Sequence, residues 1–313
     1  MGSGFQHCWA PLLFAAQLLA IGAVAQKPRQ PYTISDNVDL VLLDVSVKDP
    51  HGGFVTGLEK PNFRVFEDGH PREITHFASV DTPVTVGLVV DDSGSMRGKR
   101  PEVVMAGLAF AKSSNPQDEF FVINFNNSVV RGLPPQIAFT DNLQTLRAAL
   151  YYGQPVGQTA LYDAIAYGLR HLDLGHRDKR TLIVVSDGGD NVSDLSLSEL
   201  MHLVVASRAT IYTVGIFDPV NRDLNPGVLR KLANVSGGEY FEPKALDQMI
   251  PTLEKISKDI RNRYTVGYTP DETNDRRQVR SIKVTAERQG RKLSVKTRTA
   301  YSIRPRSQET RLQ

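Results

Sequence analysis

Between Val84 and Gly215 the chain alternates short, almost uninterrupted apolar runs with longer stretches whose apolar residues recur at helical spacing. The runs are Val84–Val90, Glu119–Phe125, Thr181–Ser186 and Thr210–Gly215. Strands covered by helices on both faces have this composition, because neither face meets water. Pro101 suits the first turn of a helix over Glu102–Lys112, where its missing N–H would find no partner anyway. Asp141 can cap Leu143–Leu150, and Ser196 can cap Leu197–Ala206. Ala160–Leu172 sets Leu161, Ile165, Ala166 and Leu169 on one face, and Asn225-Pro226 opens a helix over Gly227–Val235. Ala245–Arg263 reads as the last and longest helix. This alternation predicts an α/β fold with a doubly wound, mostly parallel sheet.

On either side of that region the period changes to two. Leu43–Lys48 alternates apolar and polar residues, Phe63–Glu67 is a short strand, and Asp68-Gly69 is a hairpin signal from which Ile74–Phe77 can return. Near the other end Tyr264–Tyr268 alternates. Ile282–Ala286 also alternates, and pairs across Arg288-Gln289-Gly290-Arg291 with Leu293–Lys296. About three strands at each end cannot bury an apolar face alone. The expectation is one small β-sandwich built from both ends, with the α/β domain inserted in it. The corresponding divisions are 26–81 for the N-terminal β segment, 82–263 for the α/β domain and 264–303 for the C-terminal β segment, which packs on 32–80. Residues 304–313 read as a disordered tail.

Composition adds a compartment. Trp9–Ala25 is apolar except for Gln17 and ends Ala23-Val24-Ala25, a small-residue cleavage pattern before a polar, proline-bearing stretch. Residues 1–25 therefore read as a signal peptide, although Met1–His7 has no Lys or Arg; an uncleaved anchor is the alternative. No other run is long enough to span a bilayer. The only cysteine, Cys8, lies in this leader, so the exported chain has no disulfide, thiolate ligand or cysteine nucleophile. The net charge of +3 hides an asymmetry: from Lys258 onward there are 15 Lys+Arg against 6 Asp+Glu, or +9, leaving −6 before it.

The candidate chemistry lies at strand ends. Asp91-Asp92-Ser93-Gly94-Ser95 follows the first α/β strand, Asp187 ends another, and Thr159 stands where a loop enters a helix. In an open α/β sheet the ligand crevice lies at the carboxyl ends of the strands. Carboxylate and hydroxyl oxygens gathered there suit a hard divalent cation.

The segments DDSGSM, GQTALYDAI and VVSDGGDN, in that order, resemble the von Willebrand factor type A domain with its metal-ion-dependent adhesion site. The resemblance covers roughly 82–263. The flanks EDGHPREI and RYTVGYTP resemble a bacterial exported subgroup. The resemblance implies Mg2+ (or Mn2+) held by Ser93, Ser95 and Thr159, with Asp91 and Asp187 acting through coordinated waters or directly. It also implies an open position that takes an Asp or Glu carboxylate of a partner protein, with no enzymatic step. Few direct charges suit Mg2+, which gives up water reluctantly. Asp92 stands where a small or apolar residue is common, and either faces away or adds a water ligand. Arg97-Gly98-Lys99-Arg100 gives no support for a second acidic site. Asp163, Asp190 and Asn191 are near enough to tune the centre, with turn and helix packing as their simpler roles.

Other functions fit less well. A haloacid-dehalogenase-type phosphohydrolase needs a second Asp where Ser93 stands. No P-loop, G-x-S-x-G or H-E-x-x-H pattern occurs. The basic C-terminal segment (Arg276, Arg277, Arg280, Lys283, Arg291, Lys292, Lys296, Arg298) offers a polyanion-binding alternative, an envelope polymer rather than nucleic acid. A structural envelope subunit with a stabilising metal is the third reading. At most the chain is peripheral to a membrane.

Overall fold

The computed structural model describes residues 40–217, 225–270 and 279–302. The leader, the polar, proline-bearing stretch after it, Arg276, Arg277 and the 304–313 tail lie outside the described residues.

The N-terminal strands are β1 (Val41–Lys48), β2 (Phe63–Glu67), β3 (His70–Arg72) and β4 (Ile74–Ala78). The α/β region follows as β5 (Val84–Asp91), α1 (Arg100–Ser113), β6 (Glu119–Phe125), β7 (Val129–Arg131), α2 (Leu143–Tyr151), α3 (Leu161–Leu172) and β8 (Lys179–Ser186). It continues through α4 (Leu197–Ala206), β9 (Thr210–Gly215), α5 (Pro226–Ser236), β10 (Tyr240–Phe241) and α6 (Met249–Arg261). The chain then returns to strands: β11 (Tyr264–Tyr268), β12 (Val279–Arg288), β13 (Arg291–Lys292), β14 (Ser294–Lys296) and β15 (Ala300–Ser302).

The central sheet runs β10-β9-β8-β5-β6-β7, parallel except for the edge strand β7. Every residue of β5 is buried, as the unbroken apolar run requires. α1 packs on α2 and α6, and α4 packs on α3 and α5, which makes two helical layers. Strand order reverses at β5, with β6 on one side and β8 on the other. The crevice at such a reversal opens beyond the carboxyl ends of these strands, where Asp91 closes β5 and Asp187 follows β8.

The two flanking segments interleave. One antiparallel sheet is β14-β1-β11-β4 and the other is β13-β12-β2-β3, with β15 beside β12. Their shared core includes Leu43, Val45, Phe63, Tyr264 and Val284. Phe63, Phe77 and Tyr264 form an aromatic triangle with ring centroids 5.1–5.8 Å apart.

Several expectations need correction. The strand that returns from Asp68-Gly69 is β3, not Ile74–Phe77, which crosses to the other sheet and pairs with β11. Likewise β12 turns back onto β13, and the Leu293 N–H donates to the Ala286 carbonyl at 2.9 Å, but β14 then pairs with β1 instead. Both hairpins turn through two left-handed residues, Asp68-Gly69 and Gln289-Gly290, the geometry that matches strand twist. The cap of α2 is Asn142, whose Oδ1 accepts from the N–H groups of Gln144 (2.9 Å) and Thr145 (3.0 Å), rather than Asp141. The last helix is shorter than expected. Residues 246–248 form a separate 3-10 turn, and α6, with 13 residues, is shorter than α1 with 14. Pro251 lacks an N–H and is tolerated only in a first helical turn, so α6 starts just before it.

α6 meets the sandwich across a buried polar seam. Asp259 accepts hydrogen bonds from Ser46 Oγ of β1 (2.5 Å), the Tyr212 hydroxyl of β9, and Arg263 (2.8 Å). Arg263 also donates to the Gly237 carbonyl at 2.9 Å. Burial pushes the Asp259 carboxyl up, but Arg263, the two hydroxyls and Lys48 outweigh it and hold the group at about 2.

Candidate metal centre

Three loops meet at the reversal point. The first leaves β5. Asp91, fully buried, accepts from the Ser93 N–H through Oδ1 (2.8 Å) and from Ser186 Oγ through Oδ2 (2.7 Å). Ser93 Oγ lies 3.1 Å from Ser95 Oγ, and Ser95 Oγ donates to Asp187 Oδ2 at 2.8 Å. Residues 94–96 form a 3-10 turn that Ser93 precedes, and the Ser93 and Ser95 hydroxyls meet at its start.

The second loop leaves β8. Asp187 Oδ1 accepts from Gly189 N–H at 3.3 Å, and Ser186 Oγ accepts from Gly188 N–H at 3.1 Å. The third loop carries Thr159, which is 6% exposed. Its N–H donates to Asn191 Oδ1 (2.9 Å), and the Asn191 N–H returns a bond to the Thr159 carbonyl (3.0 Å). The Gly94 N–H donates to the Gly157 carbonyl at 3.1 Å, so this loop lies against the serine loop. Asp91, Ser93, Ser95 and Asp187 thus form one connected oxygen set, and Thr159 is joined to it through backbone bonds.

Burial raises the Asp91 carboxyl to about 6; hydrogen bonds from Ser93 and Ser186 oppose this, and the Asp187 charge adds to it. Two acids and the hydroxyls of Ser93 and Ser95 in one hydrogen-bonded set fit a hard, oxygen-preferring cation that keeps part of its water. Among the described residues no group of three or more His, Cys, Asp or Glu could hold a metal.

Asp92 faces away from this set. Its Oδ1 lies 2.9 Å from Arg100 Nη1, on the β6 side. Asp163 and Asp190 serve local structure: Asp163 accepts from the N–H groups of Asp194 and Leu195, and Asp190 from Tyr162 N–H and Ser193 Oγ. Asn191 has the larger role, since it fixes the backbone of Thr159. Sequence reasoning missed Arg100 and Asn124, which surround Asp92. The one polar side chain inside the apolar run Phe120–Phe125, Asn124, was the available signal.

The structure also thins the basic C-terminal segment. Arg280 is buried beside Glu67, with 3.1 Å between Nη1 and Oε1. Arg298 donates inward to the Ser207 carbonyl, and Lys296 sits 3.8 Å from Glu239. Lys283, Arg291 and Lys292 remain exposed.

Residues 86–189 match the von Willebrand factor type A domain family. No curated protein matches the chain significantly. Among solved structures, a von Willebrand factor type A protein from Catenulispora acidiphila is 14% identical, covers 80% of this chain and 75% of its own, and superposes with a TM-score of 0.51. The PilB minor pilin from Streptococcus sanguinis is 14% identical over 59% of this chain and 62% of its own, with a TM-score of 0.47. The vWF domain of a type V pili tip protein from Porphyromonas gingivalis is 13% identical over 58% and 96%, with a TM-score of 0.45. At such identities the likeness is one of fold. Among the described residues no helix is long and apolar enough to cross a membrane.

Proposed function

We propose that this von Willebrand factor type A domain protein is an exported, non-enzymatic module that binds a partner protein through a divalent cation. The observation that carries the reading is the hydrogen-bonded oxygen set of Ser93, Ser95 and Asp187 with Asp91 beside it, at the reversal point of the sheet. In this reading Ser93, Ser95 and Thr159 hold Mg2+ (or Mn2+), and Asp91 and Asp187 act through coordinated waters or directly. The metal supplies a Lewis-acidic position that accepts a partner's Asp or Glu carboxylate. The protein residues do the rest. Ser186 and the Ser93 amide orient Asp91, and Asn191 orients Thr159. Ser93 stands where a phosphohydrolase would need its general acid, which supports binding over catalysis. The leader expected over 1–25 supports export.

The test is capture from the source organism's envelope fraction in Mg2+ and in EDTA. The reading expects a partner retained in Mg2+, released by EDTA, and not retained by Asp91→Ala/Asp187→Ala. Retention that persists in EDTA and falls steeply with salt would replace it with polyanion binding by the basic hairpin around Arg291.

A further inference from the structure

We propose that Asp92, Arg100 and Asn124 form a buried positioning clamp for the metal centre, holding the loop that carries Thr159 against the loop that carries Ser93 and Ser95. The proposal rests on the metal-binding reading above.

The clamp starts from a need of α2. The last carbonyls of a helix have no partner inside it, and two of them, Ala149 and Leu150, face inward here. Arg100, the first residue of α1, donates through Nη2 to the Leu150 carbonyl (2.5 Å) and to Asn124 Oδ1 (2.9 Å). Asn124 donates through Nδ2 to the Ala149 carbonyl at 2.9 Å. Asp92 balances the guanidinium charge at 2.9 Å. All three residues are nearly inaccessible, at 1%, 6% and 2% for Asp92, Arg100 and Asn124. The end of α2 is thereby tied to β5, β6 and α1 together.

The following loop is docked on the same residues. Gly153 lies so close to Asp92 that a Cβ built on it would sit 1.3 Å from Oδ2. Val156 N–H donates to the Asp92 carbonyl (2.9 Å), and Gly94 N–H to the Gly157 carbonyl (3.1 Å). Two residues later comes Thr159. The Asp92 backbone is itself tied to β6, its N–H donating to the Phe125 carbonyl at 2.6 Å. The path from clamp to candidate ligand is continuous, and it accounts for an acid placed beside the centre: with its charge met by Arg100, Asp92 contributes position. Partners that orient metal ligands from behind carry about 10–100-fold of affinity in metal sites.

The experiment uses the full exported chain. Mg2+ affinity is measured by calorimetry, thermal stability in EDTA by circular dichroism, and local opening by hydrogen exchange at the Val156 and Gly94 amides. Asn124→Ala removes the bonds to Arg100 and to the Ala149 carbonyl. Asp92→Ala/Arg100→Met removes the ion pair without stranding a buried charge. Ile256→Val, in α6, is the control for general loss of stability. The clamp predicts Mg2+ affinity at least about tenfold weaker in Asn124→Ala and in the double variant, with faster exchange at Val156 and Gly94. It predicts wild-type affinity in Ile256→Val. Wild-type Mg2+ affinity in either folded clamp variant overturns the clamp, as does an equal loss in Ile256→Val. If the wild type itself binds no Mg2+, the metal reading falls and the clamp falls with it. Should one clamp variant not fold, the other decides.

Discussion

Asp91 and Asp259 are both almost wholly buried, at 0% and 1% exposure, and their surroundings drive them in opposite directions. Around Asp259 a guanidinium, two hydroxyls and Lys48 outweigh burial and hold the carboxyl at about 2. Around Asp91 burial prevails over two hydrogen-bond donors, Asp187 adds like charge, and the carboxyl rises to about 6. The seam between α6 and the sandwich supplies its own counter-charge. The crevice gathers acids and hydroxyls, and Arg100, at the start of α1, pairs with Asp92 instead. Burial raises Asp92 to about 6 as well, although Arg100 pairs with it. What sets Asp91 apart is therefore its neighbours: two serine side chains and a second acid where Asp259 has a guanidinium.

The sharpest way to break this contrast is to remove the seam acid. Asp259→Ala strands Arg263 and is expected to cost about 3–5 kcal/mol in chemical unfolding, the range for breaking a buried pair from one side. Mg2+ affinity of the folded protein should stay as in the wild type. A shift in both together would mean that the seam and the crevice are one coupled unit.

Mg2+ should act on the other member of the pair. At one hundred times its Kd it should stabilise the wild type by about 2.7 kcal/mol at pH 7, read as a higher Tm than in EDTA. The gain should shrink at pH 5, because Asp91 must lose a proton to hold the cation.

Acid should act chiefly on the seam. The folded Asp259 carboxyl lies below its unfolded value of about 3.9. Its contribution is therefore complete above that value and is lost as pH falls toward 2, amounting to about 2–3 kcal/mol. The acid limb of the stability curve should be shallower in Asp259→Asn. A smaller effect serves as reference: Ser196→Ala removes the hydroxyl that accepts from Glu199 N–H at the start of α4, with an expected cost of about 1 kcal/mol and no change in Mg2+ binding.

Sequence and structure agree best where a residue's role is local. β5, β6, β8 and β9 were legible because strands buried on both faces need apolar residues at nearly every position. The connected set of Asp91, Ser93, Ser95 and Asp187 was legible because each residue stands at a strand end or the turn after it. β7, β10 and β15 have two or three residues each, too few to show a period. The crossing of β4 and β14 to another sheet was hidden because partner choice is set by long-range packing. Arg100 was hidden for the same reason. Its position at the start of α1 suggests a surface cation, and only the fold brings it to Asn124, Asp92 and the end of α2.

The central claim is that the crevice takes a divalent cation. It is tested most directly by calorimetric titration of Mg2+ into the wild type and into Asp91→Ala/Asp187→Ala, with circular dichroism confirming that both are folded. A saturable heat in the wild type that disappears in the double variant is the expected result. Equal heats in the two proteins, or no heat in either, would contradict it.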